Sequence, residues 1–260
     1  MKHLAAPVFL LLSALPAAAQ DETVGVKVRE WWARMSGTLE AESGGSGSTR
    51  LDLSDDLGLG NQNLTTELQI YGRIPVVGRI YAGWWRAQDS GSATLDRTIT
   101  FAGQTFPVGT PIDSDFQLDV AYLNYEFVFP TIPVGDLVKF ELAASLGIRG
   151  FHGEGMISGG GFSAEDKGNA GLPTVGAHAT VKFFDLVRTE VEVLGLAFRY
   201  GDNEVHYLEM FAEATIEPLP WIFAGVGYKL AALNFLHEGS DRFRLNIDIA
   251  GVYVTAGIRF

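Results

Sequence analysis

Histidines close to acidic residues are the feature of this sequence that could do chemistry. His152, His206 and His237 each lie within a few residues of a carboxylate. A histidine held by a carboxylate can act as a general base. One alternative is therefore an enzyme that acts on lipid or peptide, with its active site at the outer rim of the fold. The neighbouring acidic residues are Glu154, Asp202, Glu204 and Asp241. No catalytic motif accompanies them, and polar connecting segments collect such residues by composition alone, which favours a protein without enzymatic activity.

Cofactor and metal sites find no support in the sequence. The glycine-rich run GGSGSTR lacks the Gly-Lys-Ser/Thr ending that would reach a phosphate. Asp52, Asp55 and Asp56 do not recur at the alternate positions that a calcium loop requires. The formal net charge of −12 argues against nucleic acid, which binds basic surfaces. We therefore predict no cofactor, no metal ion and no nucleic-acid partner.

The first nineteen residues have the layout of a cleaved secretory signal. Lys2 and His3 precede an apolar stretch, and three alanines end the segment before Gln20. The apolar stretch is short for a membrane span and is not followed by a basic stop. We expect export after cleavage, with residues 20–260 forming a single domain.

Composition indicates an all-β chain. Glycine occurs 31 times, and aromatic residues make up 12% of the sequence. Glycine breaks helices, whereas aromatic and β-branched residues favour strands. Hydrophobic residues reach 47%, yet no run after the signal is long enough for a transmembrane helix. Because cysteine is absent, disulfides contribute nothing to stability.

Ten strands follow one another along the chain, and their connectors alternate between long and short. Long loops on one side and tight turns on the other are typical of an outer-membrane barrel, whose short turns face the periplasm. The predicted strands are 28–42, 62–73, 77–89, 114–129, 136–156, 172–183, 188–200, 204–217, 221–236 and 243–260.

Alternation within the strands predicts which side chains face lipid. In the first strand, Trp31, Ala33 and Met35 share an apolar face and are expected to point outward. In two strands, near 114–129 and 243–260, the apolar phase moves from one face to the other, which suggests a bulge or emergence from the bilayer. In the third strand, the adjacent residues Trp84 and Trp85 leave it ambiguous which face points outward.

Aromatic residues at the strand ends predict two girdles at the membrane boundaries. The expected periplasmic girdle consists of Trp31, Phe127, Phe129, Phe183, Trp221 and Phe260. The expected outer girdle consists of Phe116, Phe151, Tyr200, Phe235 and Phe243.

The last strand resembles that of small bacterial outer-membrane β-barrel proteins. Val254, Ile258 and Phe260 match the alternating strand with a terminal aromatic that such proteins carry. The resemblance implies an antiparallel up-and-down barrel of about ten strands, with eight or twelve as alternatives. It also implies location in the bacterial outer membrane, contact with its lipid, and recognition of the C-terminal strand and Phe260 by the barrel assembly machinery. The segment LDLSDDLGLG is similar to segments in these proteins, and we expect it to extend the barrel wall.

Charged side chains on the opposite face are expected to line a narrow lumen, in a monomer with a structural or narrow-pore role. Acidic residues outnumber basic ones in this set, so either water enters the lumen or some carboxylates are protonated. A third possibility is an adhesin that presents the loops near 43–61 and 90–113. The predicted lumen-lining residues are Glu30, Arg34, Glu40, Glu67, Arg73, Lys139, Glu141, Arg149, His178, Lys182, Glu190, Glu192, Glu209, Glu213 and Lys229.

Overall fold

The computed structural model describes residues 24–41, 49–74, 78–135, 137–201, 203–238 and 242–260. Within them the chain is all-β, and ten long antiparallel strands close into a barrel, so the predicted fold is confirmed. None of the described residues forms a helix long and apolar enough to cross a membrane. The predicted signal lies outside the described residues. The barrel strands are β1 (Val24–Ala41), β3 (Gln62–Ile74), β4 (Gly78–Thr94), β7 (Pro111–Val128), β9 (Val138–Gly159), β10 (Phe162–Phe183), β11 (Val187–Tyr200), β12 (Asn203–Leu219), β13 (Ile222–Glu238) and β14 (Arg242–Arg259).

Each barrel strand pairs with its neighbour in the chain, and β14 closes the barrel against β1. The backbone of Val24 exchanges two hydrogen bonds with that of Phe260, so the first and last described residues meet at the end with short turns, which we call the periplasmic end. Four short strands lie between the long ones. They are β2 (Leu51–Asp52), β5 (Ile99–Phe101), β6 (Gln104–Phe106) and β8 (Ile132–Val134).

The segment SGGGFSAEDKGNA, residues 158–170, lies between the predicted strands 136–156 and 172–183, where a long outer loop is expected, but it is mostly strand. β9 and β10 each run for 22 residues and pair along their whole length. They are joined by a tight turn in which Gly160 and Gly161 take positive φ angles of 59° and 84°. Glycine reaches this conformation without steric cost, so the hairpin turns in two residues and the strands stay paired to their tips.

An apolar belt surrounds the periplasmic half of the barrel. On β10, for example, Val175, Ala177 and Val181 alternate on the outer face with interior polar residues. The belt covers about ten residues of each strand, which suits the length that a tilted strand needs to cross a bilayer. Exposed members on other strands include Leu68, Ile70, Leu123, Leu142, Leu146, Val191, Val193, Met210, Val226, Val252 and Val254.

The predicted periplasmic girdle is confirmed in part, because Trp31 is buried inside the barrel and Phe183 is only partly exposed. Phe127, Phe129, Trp221 and Phe260 are exposed at that end. The predicted outer girdle is wrong because its members point inward: Phe116 and Phe151 are buried, and Phe235 and Phe243 pack against the core. The side chain of Tyr200 lies outside the described part of the chain. Exposed aromatics toward the outer boundary include Trp32 and Trp84 instead.

The outer half of the barrel has the opposite polarity from the membrane half. Trp31, Ala33 and Met35 point into the barrel and are buried, so the facing predicted for the first strand is wrong. The suspected bulges are also absent, because the described registers of β7 and β14 with their neighbours are continuous. The apolar residues change face because the surroundings change. Below the boundary lipid lies outside, and above it the apolar residues form an internal core.

A cap formed by residues 51–60 closes the outer end. Four leucines of the LDLSDDLGLG segment are buried in the core. Only Leu51 and Asp52 extend the wall, through pairing with β1, and the segment then turns inward. The buried Asp89 carboxylate accepts hydrogen bonds from the backbone of Gly60 (2.5 Å) and Asn61 (3.1 Å), which ties the cap to β4. The leucines are Leu51, Leu53, Leu57 and Leu59.

The facing of β10 can be tested with two substitutions of a small residue by arginine. Ala177→Arg places a charge near the middle of the lipid belt and should cost roughly 2–4 kcal/mol of unfolding free energy. Ser163→Arg, on the same face of the same strand but beyond the belt, should cost close to nothing because the guanidinium stays in water. Denaturant unfolding from lipid vesicles measures both. Equal penalties would contradict the proposed position of the belt.

Candidate functional site

The interior of the membrane half holds a network of ionisable side chains. Among the described residues, eight glutamates and nine lysines or arginines take part, so the acidic surplus expected in the lumen is not found. The glutamates are Glu67, Glu126, Glu141, Glu190, Glu192, Glu209, Glu213 and Glu217. The basic residues are Lys27, Arg29, Arg73, Arg79, Arg149, Lys182, Arg188, Lys229 and Arg259.

Glu67 on β3 is the central acceptor of this network. Its carboxylate lies 3.0 Å from Arg29 and 2.9 Å from Lys229, and the hydroxyl of Tyr122 donates to it at 2.5 Å. Arg29 continues to Glu213 at 3.1 Å on the far wall. Burying a carboxylate is costly unless cations and hydrogen bonds compensate it. Glu67 meets this condition with partners from three other strands, β1, β7 and β13.

A lysine between two indole rings closes the centre of the barrel. The Lys229 ammonium lies 5.2 Å from the ring centroids of both Trp31 and Trp85, a distance at which cation–π attraction is favourable. The two indoles meet edge to face with centroids 5.6 Å apart. Lys229 also contacts Glu209 at 3.5 Å, which in turn binds Arg149 at 3.3 Å. This layer separates the charged interior from the apolar core above it.

Inward-facing glycines make room for side chains that lie across the wall. A Cβ atom added to Gly227 would approach the ring of Tyr253 to 2.4 Å, and one added to Gly83 would approach Tyr122 to the same distance. Both tyrosine rings therefore lie flat over a glycine of a neighbouring strand. The arrangement fills the lumen densely, because ring and backbone are in contact where an ordinary side chain would hold them apart.

A second cluster lies closer to the periplasmic end. Arg79 bridges Glu126 at 2.8 Å and Glu141 at 2.9 Å. The other side of the Glu126 carboxylate contacts Nδ1 of His178 at 2.6 Å. On the opposite wall, Arg259 forms two hydrogen bonds with Glu217, at 3.0 and 2.6 Å. These pairs compensate the charges of the lower lumen in the same way as at its centre.

A cavity of about 50 Å³ lies within the lower network. It is lined by Arg79, Glu126, His178 and Glu192, among others, and Glu192 accepts a hydrogen bond from Tyr81. Since about 10–15 Å³ of such space is enough for one water molecule, the cavity has room for a few of them. Five lysines or arginines and five glutamates line the cavity. It therefore has no strong preference for cations or for anions.

Most of the predicted lumen-lining residues point inward in the structure. These are Glu67, Arg73, Glu141, Arg149, His178, Lys182, Glu190, Glu192, Glu209, Glu213 and Lys229. The prediction is wrong for Glu30 and Arg34, because both lie on the outer face of β1. Glu40 is half-buried near Arg244, at 3.8 Å, on that face as well. Lys139 lies at the periplasmic rim, where it binds Asp185 at 2.8 Å.

Several members of the network were not predicted from the sequence, including Lys27, Arg29, Glu126 and Arg188. The reversed facing of β1 explains the first two, since they share a face with Trp31 and were not considered as interior residues. Lys27 binds Glu213 at 2.8 Å and Glu190 at 3.4 Å. The alternation of Val24, Val26 and Val28 with these cations was the signal that could have identified the correct face.

Two of the histidines near the outer rim each contact a neighbouring side chain. His152 contacts Asn169 at 2.8 Å on the exposed wall, and His206 contacts Glu204 at 2.8 Å on its own strand. Asp202 and Asp241 lie outside the described residues. Within the described ranges, no group of three or more potential metal ligands is found.

The fold is shared with solved outer-membrane proteins. The outer-membrane protease OmpT of Escherichia coli matches with a TM-score of 0.50 and 9% identity, over 92% of this chain and 96% of that one. The attachment invasion locus protein Ail of Yersinia pestis (TM-score 0.33, 12% identity, 92% and 100% coverage) and Neisserial surface protein A (0.38, 10%, 91% and 97%) are more distant in shape. No protein-family model and no curated protein matches the sequence. The chain thus has the fold of an outer-membrane β-barrel, and its apolar belt fits that location.

The central network predicts a specific pattern of stabilities. Lys229→Met should cost roughly 3–5 kcal/mol, because Glu67 and Glu209 lose a buried cation. Adding Glu67→Gln to the Lys229→Met variant should recover part of the lost unfolding free energy, since the second substitution removes one of the uncompensated charges. The measurement is denaturant unfolding from lipid vesicles.

A matched control removes a cation from an exposed pair. Arg97→Met breaks the 2.6 Å contact with Asp56 in the outer loops and should cost no more than about 1 kcal/mol. If Lys229→Met costs as little as Arg97→Met, the lumenal charges are solvated and the tight network described here does not exist.

Proposed function

We propose that the protein is a closed outer-membrane barrel with a structural role and that it does not conduct ions or solutes. The observation that supports this most directly is the filled lumen. Lys229, Trp31 and Trp85 occupy its centre, and the leucine core lies above them. A solute would have to displace both, at the cost of uncovering buried charges and apolar surface.

The balance of lumenal charge also argues against the narrow-pore alternative. A cation-selective pore needs a wetted wall with an excess of carboxylates. Here each of the central carboxylates Glu67, Glu209 and Glu213 contacts two basic side chains. Charges that are bound to one another hold no mobile counter-ions.

We further propose two partners that follow from the barrel itself. One is the lipid of the outer membrane, which the apolar belt would contact. The other is the barrel assembly machinery, which would recognise the C-terminal strand. In support of this, Phe260 projects outward and is 46% exposed, at the end of an outer face made of Val252, Val254 and Ile258.

A second candidate role is that of a surface platform for recognition. The half of the barrel beyond the belt has its own apolar core and polar outer face, which makes it a rigid support. Arg97, in the connection between β4 and β5, binds Asp56 of the 51–60 cap at 2.6 Å and the carbonyl of the adjacent Arg50 at 2.9 Å. Such a cross-linked surface suits the presentation of loops to a partner outside the cell.

Planar-bilayer recording tests the closed lumen. The purified barrel should show no steady conductance, and replacing Glu141 together with Glu213 by glutamine should leave it silent, because no ion path exists for these residues to tune. Altered migration on unheated detergent gels confirms that the inserted protein is folded. A steady conductance that prefers cations, and loses that preference in the double variant, would contradict the proposal and support the narrow pore.

A further inference from the structure

Glu30 is a carboxylate on the lipid-facing side of the barrel. It lies on β1 between Val28 and Trp32, which are 36% and 40% exposed on the same outer face. Its cross-strand neighbours are Val254 on β14 and Thr66 on β3. Among the described residues, no other charged side chain lies on the outer face below the boundary marked by Trp32 and Trp84.

Within the described part of the chain, Thr66 supplies the hydrogen bonds that Glu30 receives. The Thr66 hydroxyl lies 3.1 Å from one carboxylate oxygen and 3.0 Å from the other. One hydroxyl proton cannot satisfy both oxygens, each of which has two lone pairs. The arrangement therefore leaves acceptor capacity on Glu30 directed away from the barrel.

Lipid chains cannot supply the hydrogen-bond donors that the Glu30 carboxylate lacks. Acyl chains have no hydrogen-bond donors, and an ionisable side chain at this depth is costly unless another polar group meets it. Around the pair, Leu64 and Leu68 on β3 and Val252 on β14 are all about half exposed or more. The surface is thus an apolar face with one polar centre, which is the composition of a protein contact inside a membrane.

We propose that the β14–β1–β3 face binds a second copy of this chain in the membrane. The face is self-complementary, because it carries both an acceptor, the Glu30 carboxylate, and a donor, the Trp32 indole N–H, while the single Thr66 hydroxyl proton is donated within the same chain. About a twofold axis along the membrane normal, each Glu30 accepts from the Trp32 indole N–H of the other copy, so both carboxylates gain a donor from the same contact. A dimer replaces the monomer that the sequence analysis expected.

Cross-linking in intact outer membranes tests this proposal without interference from native thiols, because the chain contains no cysteine. Leu64→Cys and Leu68→Cys introduce single thiols beside Thr66, and Leu146→Cys is the control on β9, four strands from β1 and 61% exposed. Oxidation should give a product of twice the monomer mass from the two β3 variants and not from the control.

Adding Glu30→Leu to Leu68→Cys should abolish the cross-linked product while unheated gels still show a folded barrel. This substitution places an apolar side chain against lipid, so folding should survive. The proposal is overturned if the β3 thiols cross-link no more than Leu146→Cys, or if Glu30→Leu leaves the product unchanged. A cross-linked product of any other mass would identify a different partner and would also contradict the proposal that the face binds a second copy of this chain.

Discussion

The pairing of buried charge around Glu67 is the constraint on which the rest of this barrel depends. A carboxylate in a closed lumen must be compensated from several directions, and Arg29, Lys229 and Tyr122 do so from three other strands. These contacts fix the positions of the walls relative to one another across the interior. This packing requires glycine at inward-facing positions such as 227, because a large side chain that lies across the wall leaves no room for a Cβ atom beneath it.

The same constraint explains where the polarity of the barrel reverses. Inside the membrane the outer face must be apolar, so polar groups collect in the lumen and pair there. Beyond the membrane the outer face meets water, and the interior becomes an ordinary hydrophobic core closed by Leu53 and the other cap leucines. The layer of Trp31, Trp85 and Lys229 lies where these two interiors meet, with aromatic faces that suit both an ammonium group and apolar neighbours.

How far the sequence could predict this structure depends on which rule each strand obeys. β10 carries its whole membrane pattern in one alternation, so the facing of Val175 and His178 could be predicted from period two alone. β1 could not be predicted in this way, because the apolar residues of its outer half, such as Met35, belong to an internal core. The pairing of Lys229 with Glu67 lies further out of reach, since it joins residues 162 positions apart and depends on barrel closure.

The sealed lumen is tested most directly by labelling a single interior thiol. Ala231 points inward immediately above Lys229 and is buried, and the absence of native cysteine makes Ala231→Cys the sole reactive site. A charged, membrane-impermeant maleimide applied to the folded barrel in vesicles should leave Ala231→Cys unlabelled while it labels the exposed Ser163→Cys. Labelling of Ala231→Cys as fast as Ser163→Cys, in protein that migrates as a folded barrel, would show a solvent path through the centre and contradict this account.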